Sequence, residues 1–459
     1  MIFNSYIFVL LFLPISLSLF YSAKLISPNC AKITISLLSL FFYGFWDVHN
    51  VPLLLFSILF NYFFGSFIVP HSLYKKFLLT FGIIVNLSLL FYYKYSVFFL
   101  SIFDKNSITS SLVLPLAISF FTFEQISYLA DKYRGYIKEN SFLDYLFFIT
   151  FFPRLIAGPI YYYREYKDKI DQSVRISIDR GKFAIAITLF SFALFKKVII
   201  ADRLAVYSDK LYGSALDTLH FLDSWIGSLA YTLQIYFDFS AYSEMALALG
   251  LMFGIQLPIN FNSPYKSLSI IDFWNRWHMS LSRFIKDYVY IPLGGNRLGE
   301  FRQYANLIIT MAIAGLWHGA GWTFIVWGSL YGFFLVINHF SRRLNFSFPA
   351  LLSWLVTFLI VHCLWVPFRA DSFTQVWMIW YKMVEIPSLH TFYTKTQMLF
   401  ILLALSICLI MPNMIQIFIE RTSRFKWHSN LFWSLLTVST LIASILEMNH
   451  VSPFLYFNF

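Results

Sequence analysis

The sequence predicts an all-α, polytopic helical membrane protein, and two features indicate that class. Hydrophobic residues make up 59% of the 459 residues and charged residues only 12%, whereas soluble domains average about 45–50% apolar and about 25% charged residues. Several uncharged runs are also long enough to cross a bilayer, which takes about 20 residues. These features exclude a soluble globular enzyme, a disordered chain and a disulfide-rich secreted domain.

The apolar runs are continuous rather than alternating in polarity. A bilayer admits only helices or closed barrels, so each run is predicted to be a helix. Two further runs, near 143–162 and 222–256, bring the total to about 11–13 membrane helices. No soluble domain interrupts the chain, which indicates a single membrane domain over residues 1–459. The strongest candidates for spans are residues 4–22, 31–47, 51–70, 77–103, 110–129, 183–200, 304–339, 351–368, 397–412 and 430–447.

Basic residues exceed acidic ones, and many of them lie in two polar intervals, residues 131–182 and 262–303. The formal net charge is +11. By the positive-inside rule, both intervals are expected on the cytoplasmic side, close to anionic lipid headgroups and acidic ligands. Nucleic-acid binding is not expected, because the basic residues are scattered between apolar runs.

The segment Ile271–Asn296 has an unusual pattern for such a hydrophobic chain. Its apolar residues recur every three or four positions, which predicts one amphipathic helix lying in the membrane interface. Asp272 and Arg276 are four residues apart, as are Arg283 and Asp287, so each pair is expected to interact along the helix. The basic side of this helix is predicted to face water.

His278 lies near the border between the two faces of the predicted helix. It is either an interfacial residue with a structural partner or a group that takes part in chemistry. Asn275 and Arg276 lie on the polar side of the same helix and are candidate ligand contacts.

A second histidine, His318, lies in an apolar run where an ionisable group is costly and is therefore a functional candidate. On a continuous helix, Gly315 and Gly321 would lie three residues to either side of it. Ala314 and Trp322 would lie four residues away, so small residues would leave space for a substrate beside one indole wall. The alternative is close helix packing through the small residues, with the imidazole bonded to a neighbouring helix.

A third candidate cluster is Tyr236–Glu244, in which Asp238 and Tyr242 share one helix face. A carboxylate at membrane depth needs a cation or a hydrogen-bond donor. Arg154 or a histidine is the expected partner of Asp238.

Motifs of several other chemistries are absent from the sequence. It contains no H-E-x-x-H zinc motif, no G-x-S-x-G and no phosphate-binding glycine loop, so no metal and no permanently bound cofactor is expected. What remains is a buried histidine. Burial lowers the pKa of such a group and keeps it neutral, so it can accept a proton from a hydroxyl that attacks an activated carbonyl.

With these residues, the chain resembles the membrane-bound O-acyltransferase (MBOAT) family. Within the family it is similar to the bacterial branch of alginate and peptidoglycan O-acetylation and of D-alanyl transfer to teichoic acid. The resemblance covers nearly the whole chain and implies the polytopic helical fold of that family. The segments that carry it are FFPRLIAGPI, YFDFSAYSEMALALG, FWNRWHMSLSRFIKDYVYIPLGGN, GLWHGAGWTFIVWG and VSPFLYFNF.

The resemblance also implies roles for single residues. His318 matches the essential catalytic histidine of the family, and His278 matches a second polar residue upstream of it. The family has a cytoplasmic acyl-thioester tunnel that meets an opening on the far side near the histidine. The other candidates for orienting groups or walls of the acyl path are Asn275, Arg276, Asp238, Tyr242, Trp317 and Trp322.

The function implied by the resemblance is O-acetyl transfer at the bacterial inner membrane. The donor would be cytoplasmic acetyl-CoA, and the final acceptor a cell-envelope polysaccharide reached through a separate periplasmic partner of the SGNH type. D-alanyl or other acyl transfer by the same fold is the first alternative. The second is a transporter or flippase that performs no covalent chemistry and uses its membrane charges to line a path.

Overall fold

The computed structural model describes residues 1–69, 72–103, 113–138, 141–175, 179–448 and 452–455. All regular structure in these ranges is helical, which confirms the predicted all-α class. The chain forms two compact units, Met1–Phe190 with Tyr242–Pro258, and Ser191–Ala241 with Ile259–Phe459. The single membrane domain over residues 1–459 stays a prediction.

The first unit contains nine α-helices within the described ranges and the start of a tenth. Prolines begin several of them, because a residue at the first helical turn needs no N–H partner; Ser27 caps α2 by accepting from the Cys30 N–H at 3.1 Å. The helices are α1 Leu13–Ile26, α2 Pro28–Gly44, α3 Val51–Ser66, α4 Lys75–Leu90, α5 Ser96–Phe103, α6 Ile118–Tyr133, α7 Phe142–Thr150, α8 Phe152–Leu155, α9 Tyr163–Arg175 and α10 Arg180–Phe195.

Buried ion pairs connect the helices of the first unit. Lys32 of α2 binds Asp144 of α7 and, at 2.9 Å, Asp171 of α9. The Arg154 guanidinium of α8 binds the Glu124 carboxylate of α6. Buried charges are tolerated when they are paired and hydrogen-bonded, so part of the basic interval 131–182 lies inside the protein rather than at its surface.

The second unit is built around a long helix, α12, at the run predicted near 222–256. The helix is confirmed, whereas its crossing of the membrane stays a prediction. Its first part belongs to this unit and its last residues to the first unit. The helices are α11 Asp202–Tyr212, α12 Phe221–Met252, α13 Ile270–Trp274, α14 Met279–Ile285, α15 Glu300–His318, α16 Trp322–Arg343, α17 Ala350–Arg369, α18 Phe373–Val384, α19 Lys395–Ile410 and α20 Leu431–Glu447.

The run predicted over 304–339 is two antiparallel helices, α15 and α16, joined by three residues. Their backbones touch through glycines. A Cβ on Gly315 would lie 2.1 Å from the Phe324 carbonyl oxygen, and a Cβ on Gly328 would lie 2.1 Å from the Met311 carbonyl oxygen. Small residues allow such close approach of helices in a membrane. Gly315 faces α16, so it serves close helix packing, as the alternative to space for a substrate predicted.

Six helical stretches of the described chain are long and apolar enough to cross a membrane, and two shorter ones are apolar. The prediction of one membrane-spanning helix near 143–162 is wrong. The helix is interrupted between α7 and α8, where Pro153 has no N–H to continue it. The total of 11–13 stays a prediction. The six stretches are Ile7–Ile26, Val48–Ser66, Lys75–Ile102, Arg180–Tyr212, Trp322–Arg343 and Ala350–Arg369.

Candidate functional site

His318 is the last residue of α15 and is 2% exposed. Its imidazole lies among aromatic rings, with centroid distances of 4.9 Å to Trp317, 5.3 Å to Trp327 and 5.2 Å to Phe368. The helix ends here because Gly319 has an extended backbone. The continuous helix predicted through His318 is therefore wrong, and Trp322, at the start of α16, is 53% exposed rather than a wall beside the imidazole.

His278 comes within 6.5 Å of His318, measured between ring centroids. It is fully buried, and its φ of 42° places it in the left-handed region immediately before α14. The single helix predicted over 271–296 is therefore wrong: the chain turns at His278 between α13 and α14. A left-handed backbone costs energy for a non-glycine residue, so the turn must be held by its surroundings.

Asn260 holds the turn at His278. Its side-chain Oδ1 accepts hydrogen bonds from the Ser280 N–H at 3.0 Å and from the Ser280 hydroxyl at 2.9 Å. The His278 Nδ1 lies 3.3 Å from the same oxygen, and the Asn260 carbonyl accepts from the Met279 N–H at 3.0 Å. Burial lowers the pKa of His278 to about 3, so this imidazole is neutral at physiological pH.

The polar side of the 271–296 segment agrees with the prediction in part. Arg276 pairs with Asp272 at 2.8 Å, and Arg283 approaches Asp287 at 3.9 Å, which confirms both predicted pairs. Arg283 is exposed, as predicted for the basic side, whereas Ser280 is buried against Asn260.

The first cavity, of about 490 Å³, has His318 in its wall. Apolar residues of α15 and the segment after α13 form much of it, including Leu307, Met311 and Ala314. Lys286 and Arg297, both exposed, also line it. The predicted residue Asn275 is one of its lining residues. The cavity is thus an apolar pocket with cations on its exposed margin.

The second cavity, of about 550 Å³, is lined by charged and polar groups. The Lys197 ammonium lies 2.6 Å from Asp238 and 2.7 Å from Asp202, so the prediction of Arg154 or a histidine as partner of Asp238 is wrong. The other oxygen of the Asp238 carboxylate accepts from the Leu455 N–H at 2.9 Å. Gln234, one turn before Asp238 on α12, also lines the cavity.

The two cavities lie at different positions along the axis of α15. The first extends along the helix from Gln303 to His318. The second begins beyond the helix end and is lined by Ala320, Gly321 and Phe368. Since the Phe368 ring contacts the His318 imidazole, the histidine and this ring lie between the spaces. The arrangement brings His318 near two chambers of different polarity.

The remaining predicted residues are distributed as follows. Trp317 is buried against His318 and 6.3 Å from His278, measured between centroids. Tyr242 belongs to the first unit, where its ring stacks on Phe3 at 4.8 Å. Arg276 is half-exposed, and neither it nor Trp322 lines the two cavities described.

Several residues of the second cavity and around the two histidines were not predicted from the sequence. Lys197 lies in the apolar run FALFKKVII, where two lysines interrupt a predicted span, and that signal was available. Gln234 stands four residues before Asp238, which was also visible. Asn260 and Phe368 carried no signal, because their neighbours in sequence are unremarkable and only the fold brings them to the histidines.

The MBOAT family model, for membrane-bound O-acyltransferases, matches residues 117–369. This range contains both histidines and most of the lining of the first two cavities. The chain belongs to the MBOAT family. It is therefore a membrane protein and an acyltransferase, which favours covalent chemistry over the transporter alternative.

Curated relatives of this MBOAT protein fall into three groups. A peptidoglycan O-acetyltransferase of Helicobacter pylori is 44% identical over 413 residues, covering 81% of this chain and 77% of the relative. A probable alginate O-acetylase of Azotobacter vinelandii is 40% identical over 399 residues, covering 83% and 78%. A teichoic acid D-alanyltransferase of Streptococcus thermophilus is 30% identical over 243 residues, covering 50% and 58%.

Proposed function

We propose that this MBOAT protein is an O-acetyltransferase of the bacterial inner membrane. It takes acetyl from cytoplasmic acetyl-CoA and delivers it for O-acetylation of a cell-envelope polysaccharide, either peptidoglycan or an alginate-type polymer. The observation that carries the proposal is the place of His318, in the wall of one cavity and in contact with Phe368, which lines the other. The relatives named for O-acetyl transfer support acetyl as the group transferred.

The first cavity is the proposed donor site. Its margin cations, Lys286 and Arg297, belong to the basic interval 262–303 that the positive-inside rule assigns to the cytoplasm. Phosphates of acetyl-CoA would bind there, since exposed cations attract phosphate oxygens. The apolar interior would hold the acyl-thioester arm and exclude water from the thioester.

His318 is the proposed general base for transfer. Its imidazole takes the proton of the acceptor hydroxyl while that oxygen attacks the thioester carbonyl carbon. The tetrahedral intermediate then expels the CoA thiolate, which takes the proton from the imidazolium. One C–O bond forms, one C–S bond breaks, and the products are an acetyl ester and free CoA.

His278 is proposed as a positioning residue. Because the Asn260 Oδ1 accepts from the Ser280 N–H, it is an acceptor, and the His278 Nδ1 therefore carries the hydrogen. That tautomer leaves Nε2 as a hydrogen-bond acceptor. A neutral, fixed imidazole 6.5 Å from His318 can orient a hydroxyl without competing for its proton.

The second cavity is the proposed acceptor side, and a separate periplasmic protein of the SGNH type is the proposed partner that completes transfer to the polysaccharide. Asp238 would then be held by Lys197 as a fixed hydrogen-bond acceptor beside the entering hydroxyl. A hydroxyl donates readily to an ionised carboxylate.

The test uses purified protein in sealed vesicles, with acetyl-labelled acetyl-CoA enclosed and the SGNH-type partner with a polysaccharide outside. Wild type is expected to release CoA inside and to label an outside acceptor, and His318→Ala is expected to do neither. His390→Ala, at an exposed histidine, is the matched control and should behave as wild type.

Three outcomes would count against the proposal. Full labelling by folded His318→Ala would exclude His318 as the base. Labelling only when D-alanyl thioester replaces acetyl-CoA would assign the chain to D-alanyl transfer. Movement of an intact solute across the vesicle membrane without release of CoA would support the transporter alternative.

A further inference from the structure

A third cavity, of about 470 Å³, shares no lining residue with the two cavities at His318. Its wall is formed by the last turns of α16, the first turns of α17, the loop between them and the residues that lead into α13. Ile337 and Phe340 of α16 and Val356 and Ile360 of α17 make much of this wall apolar. All of these elements belong to the second unit.

Apolar side chains in the wall of the third cavity remain exposed. Phe340 is 54% exposed, and Ile337 and Val356 are exposed as well. The two helices that carry them, α16 and α17, are both long and apolar enough to cross a membrane. Exposed apolar surface on a membrane-spanning helix contacts the acyl chains of lipids. The third cavity is therefore a groove between two candidate spans that is open to the bilayer.

The loop between α16 and α17 is held in place at one end of the third cavity. The Ser341 hydroxyl donates to the Phe346 carbonyl at 3.0 Å. The Ser353 hydroxyl donates to the Phe348 carbonyl at 3.1 Å. The Phe346 and Phe348 rings pack edge to face, with centroids 4.9 Å apart, and both are exposed. Exposed aromatic rings next to a spanning helix are typical of the headgroup level of a membrane, so this end of the cavity lies at the membrane–water interface.

Arg342 supplies a positive charge at the same end of the third cavity. It lines the cavity, is exposed, and forms no ion pair among the residues that the structure describes. The next residue, Arg343, binds Glu300, which belongs to the interval 262–303 that the positive-inside rule assigns to the cytoplasm. The cytoplasmic leaflet is the one whose anionic lipids attract basic residues beside spanning helices.

We propose that the third cavity binds an anionic phospholipid of the cytoplasmic leaflet. The lipid phosphate contacts the Arg342 guanidinium and the Ser347 hydroxyl, which also lines the cavity. A guanidinium matches phosphate oxygens with two parallel N–H donors. One acyl chain lies in the apolar space beside Val356 and Ile360. A zwitterionic lipid carries the same phosphate together with an ammonium group, which Arg342 repels, so the site favours a headgroup of net negative charge.

The bound lipid also contacts the segment that begins α13. Ser269 lines the third cavity and caps α13 by accepting from the Asp272 N–H at 3.1 Å. The next N–H before it, that of Ile271, donates to the Asn338 side-chain oxygen of α16 at 3.3 Å. The lipid thus contacts α13, α16 and α17 together. Since a ligand that binds only the folded state stabilises it, this lipid is expected to raise the melting temperature.

The experiment compares an anionic lipid with a zwitterionic one. The full chain in mild detergent is titrated with phosphatidylglycerol or phosphatidylethanolamine, and bound lipid is measured by native mass spectrometry. Wild type is expected to bind phosphatidylglycerol more tightly. Arg342→Ala should raise Kd for phosphatidylglycerol about fivefold, as the loss of one basic residue at an anionic surface predicts. Arg424→Ala, at an exposed cation that lines none of the three cavities, should leave Kd unchanged.

A second pair of variants tests the acyl-chain part of the site. Val356→Trp fills the third cavity with an indole and keeps an apolar side chain toward the membrane, so it is expected to abolish the binding of phosphatidylglycerol. Leu355→Trp, at the neighbouring exposed position that does not line the cavity, is the matched control and should bind as wild type does. Phosphatidylglycerol should raise the melting temperature of wild type and Leu355→Trp but not of Val356→Trp. Melting curves without added lipid show whether each variant is folded.

Three outcomes would overturn the proposal. Equal binding of both lipids by wild type and by all folded variants would identify ordinary lipid around the protein. Loss of phosphatidylglycerol in Arg342→Ala but not in Val356→Trp would place the lipid outside the third cavity. Dissociation of a dimer by Val356→Trp, with lipid binding unchanged, would assign the cavity to a second copy of the chain. Failure of acetyl transfer by wild type would count against the proposed function alone, because the third cavity is separate from the two at His318.

Discussion

The two cavities near His318 have similar volumes, about 490 and 550 Å³, but their charges lie in different places. In the first cavity, Lys286 and Arg297 are exposed on the margin and the wall beside the histidine is apolar. In the second, Lys197 and Asp238 are buried and bound to each other. In the proposed assignment, the exposed charges that would bind a soluble donor stay hydrated, whereas the charges that would shape the acceptor side are fixed by the fold.

The difference has an energetic basis. Exposed charges stay hydrated, and even exposed ion pairs contribute only about 0–1 kcal/mol to stability. The exposed cations that line the first cavity therefore add little to the stability of the fold. Breaking a buried pair costs about 3–5 kcal/mol, because a charge is left unpaired. The polar wall of the second cavity is therefore part of the stability of the second unit.

The largest expected effect is on stability, from Lys197→Met. The change leaves Asp202 and Asp238 without their cation and is expected to lower the free energy of unfolding by about 3–5 kcal/mol, measured by denaturation in mild detergent. Asp209→Asn breaks the Arg369–Asp209 pair in the wall of the same cavity, whose carboxylate is 60% exposed, and should cost less than about 1 kcal/mol. If both variants lost a similar amount of unfolding free energy, the buried charges would contribute no more to stability than the exposed ones.

A smaller effect is expected from Gln234→Leu, which keeps the side chain buried and removes its amide. The Gln234 Oε1 has no hydrogen-bond partner in the described ranges and lines the second cavity. We expect KM for a soluble hydroxyl acceptor, such as an N-acetylglucosamine oligomer, to rise about fivefold, as a lost neutral hydrogen bond predicts. KM for acetyl-CoA should not change. If KM for acetyl-CoA rose instead, Gln234 would contribute to donor binding and not to the acceptor side.

The smallest effect is expected at the margin of the first cavity. Lys286→Ala and Arg297→Ala should each raise KM for acetyl-CoA about threefold at low salt, and the difference from wild type should shrink at high salt as the charges are screened. Arg424→Ala, at an exposed cation that does not line this cavity, is the control. A salt-independent loss would show that the margin acts by packing rather than by charge.

Much of the fold could be predicted from the sequence, because bilayer physics leaves few choices for long apolar runs. The all-α class, the long helix near 222–256 and the pairing of Arg276 with Asp272 all followed from composition and spacing. The break at His278 did not, since the apolar periodicity continues across it. That break depends on Asn260, which lies 18 residues earlier and bonds to the turn only after folding.

The candidate site was predicted in outline only. An isolated histidine in an apolar run marks His318, and it lies beside a cavity in the structure. The partner of Asp238 was predicted wrongly, because any cation in the chain can satisfy a carboxylate and spacing cannot rank Lys197 above Arg154. The two cavities are formed by residues far apart in the sequence, and sequence periodicity cannot predict how such residues pack together.

The glycine contact between α15 and α16 has a consequence for how the family can diversify. With Gly315 and Gly328 each seated against the opposite backbone, the helix that carries His318 has little freedom to shift when a different acyl group arrives. New acyl specificity would therefore arise by remodelling side chains such as Met311 and Leu307 around a fixed histidine. An engineer who wants longer acyl groups should enlarge those walls and leave the helix hairpin intact.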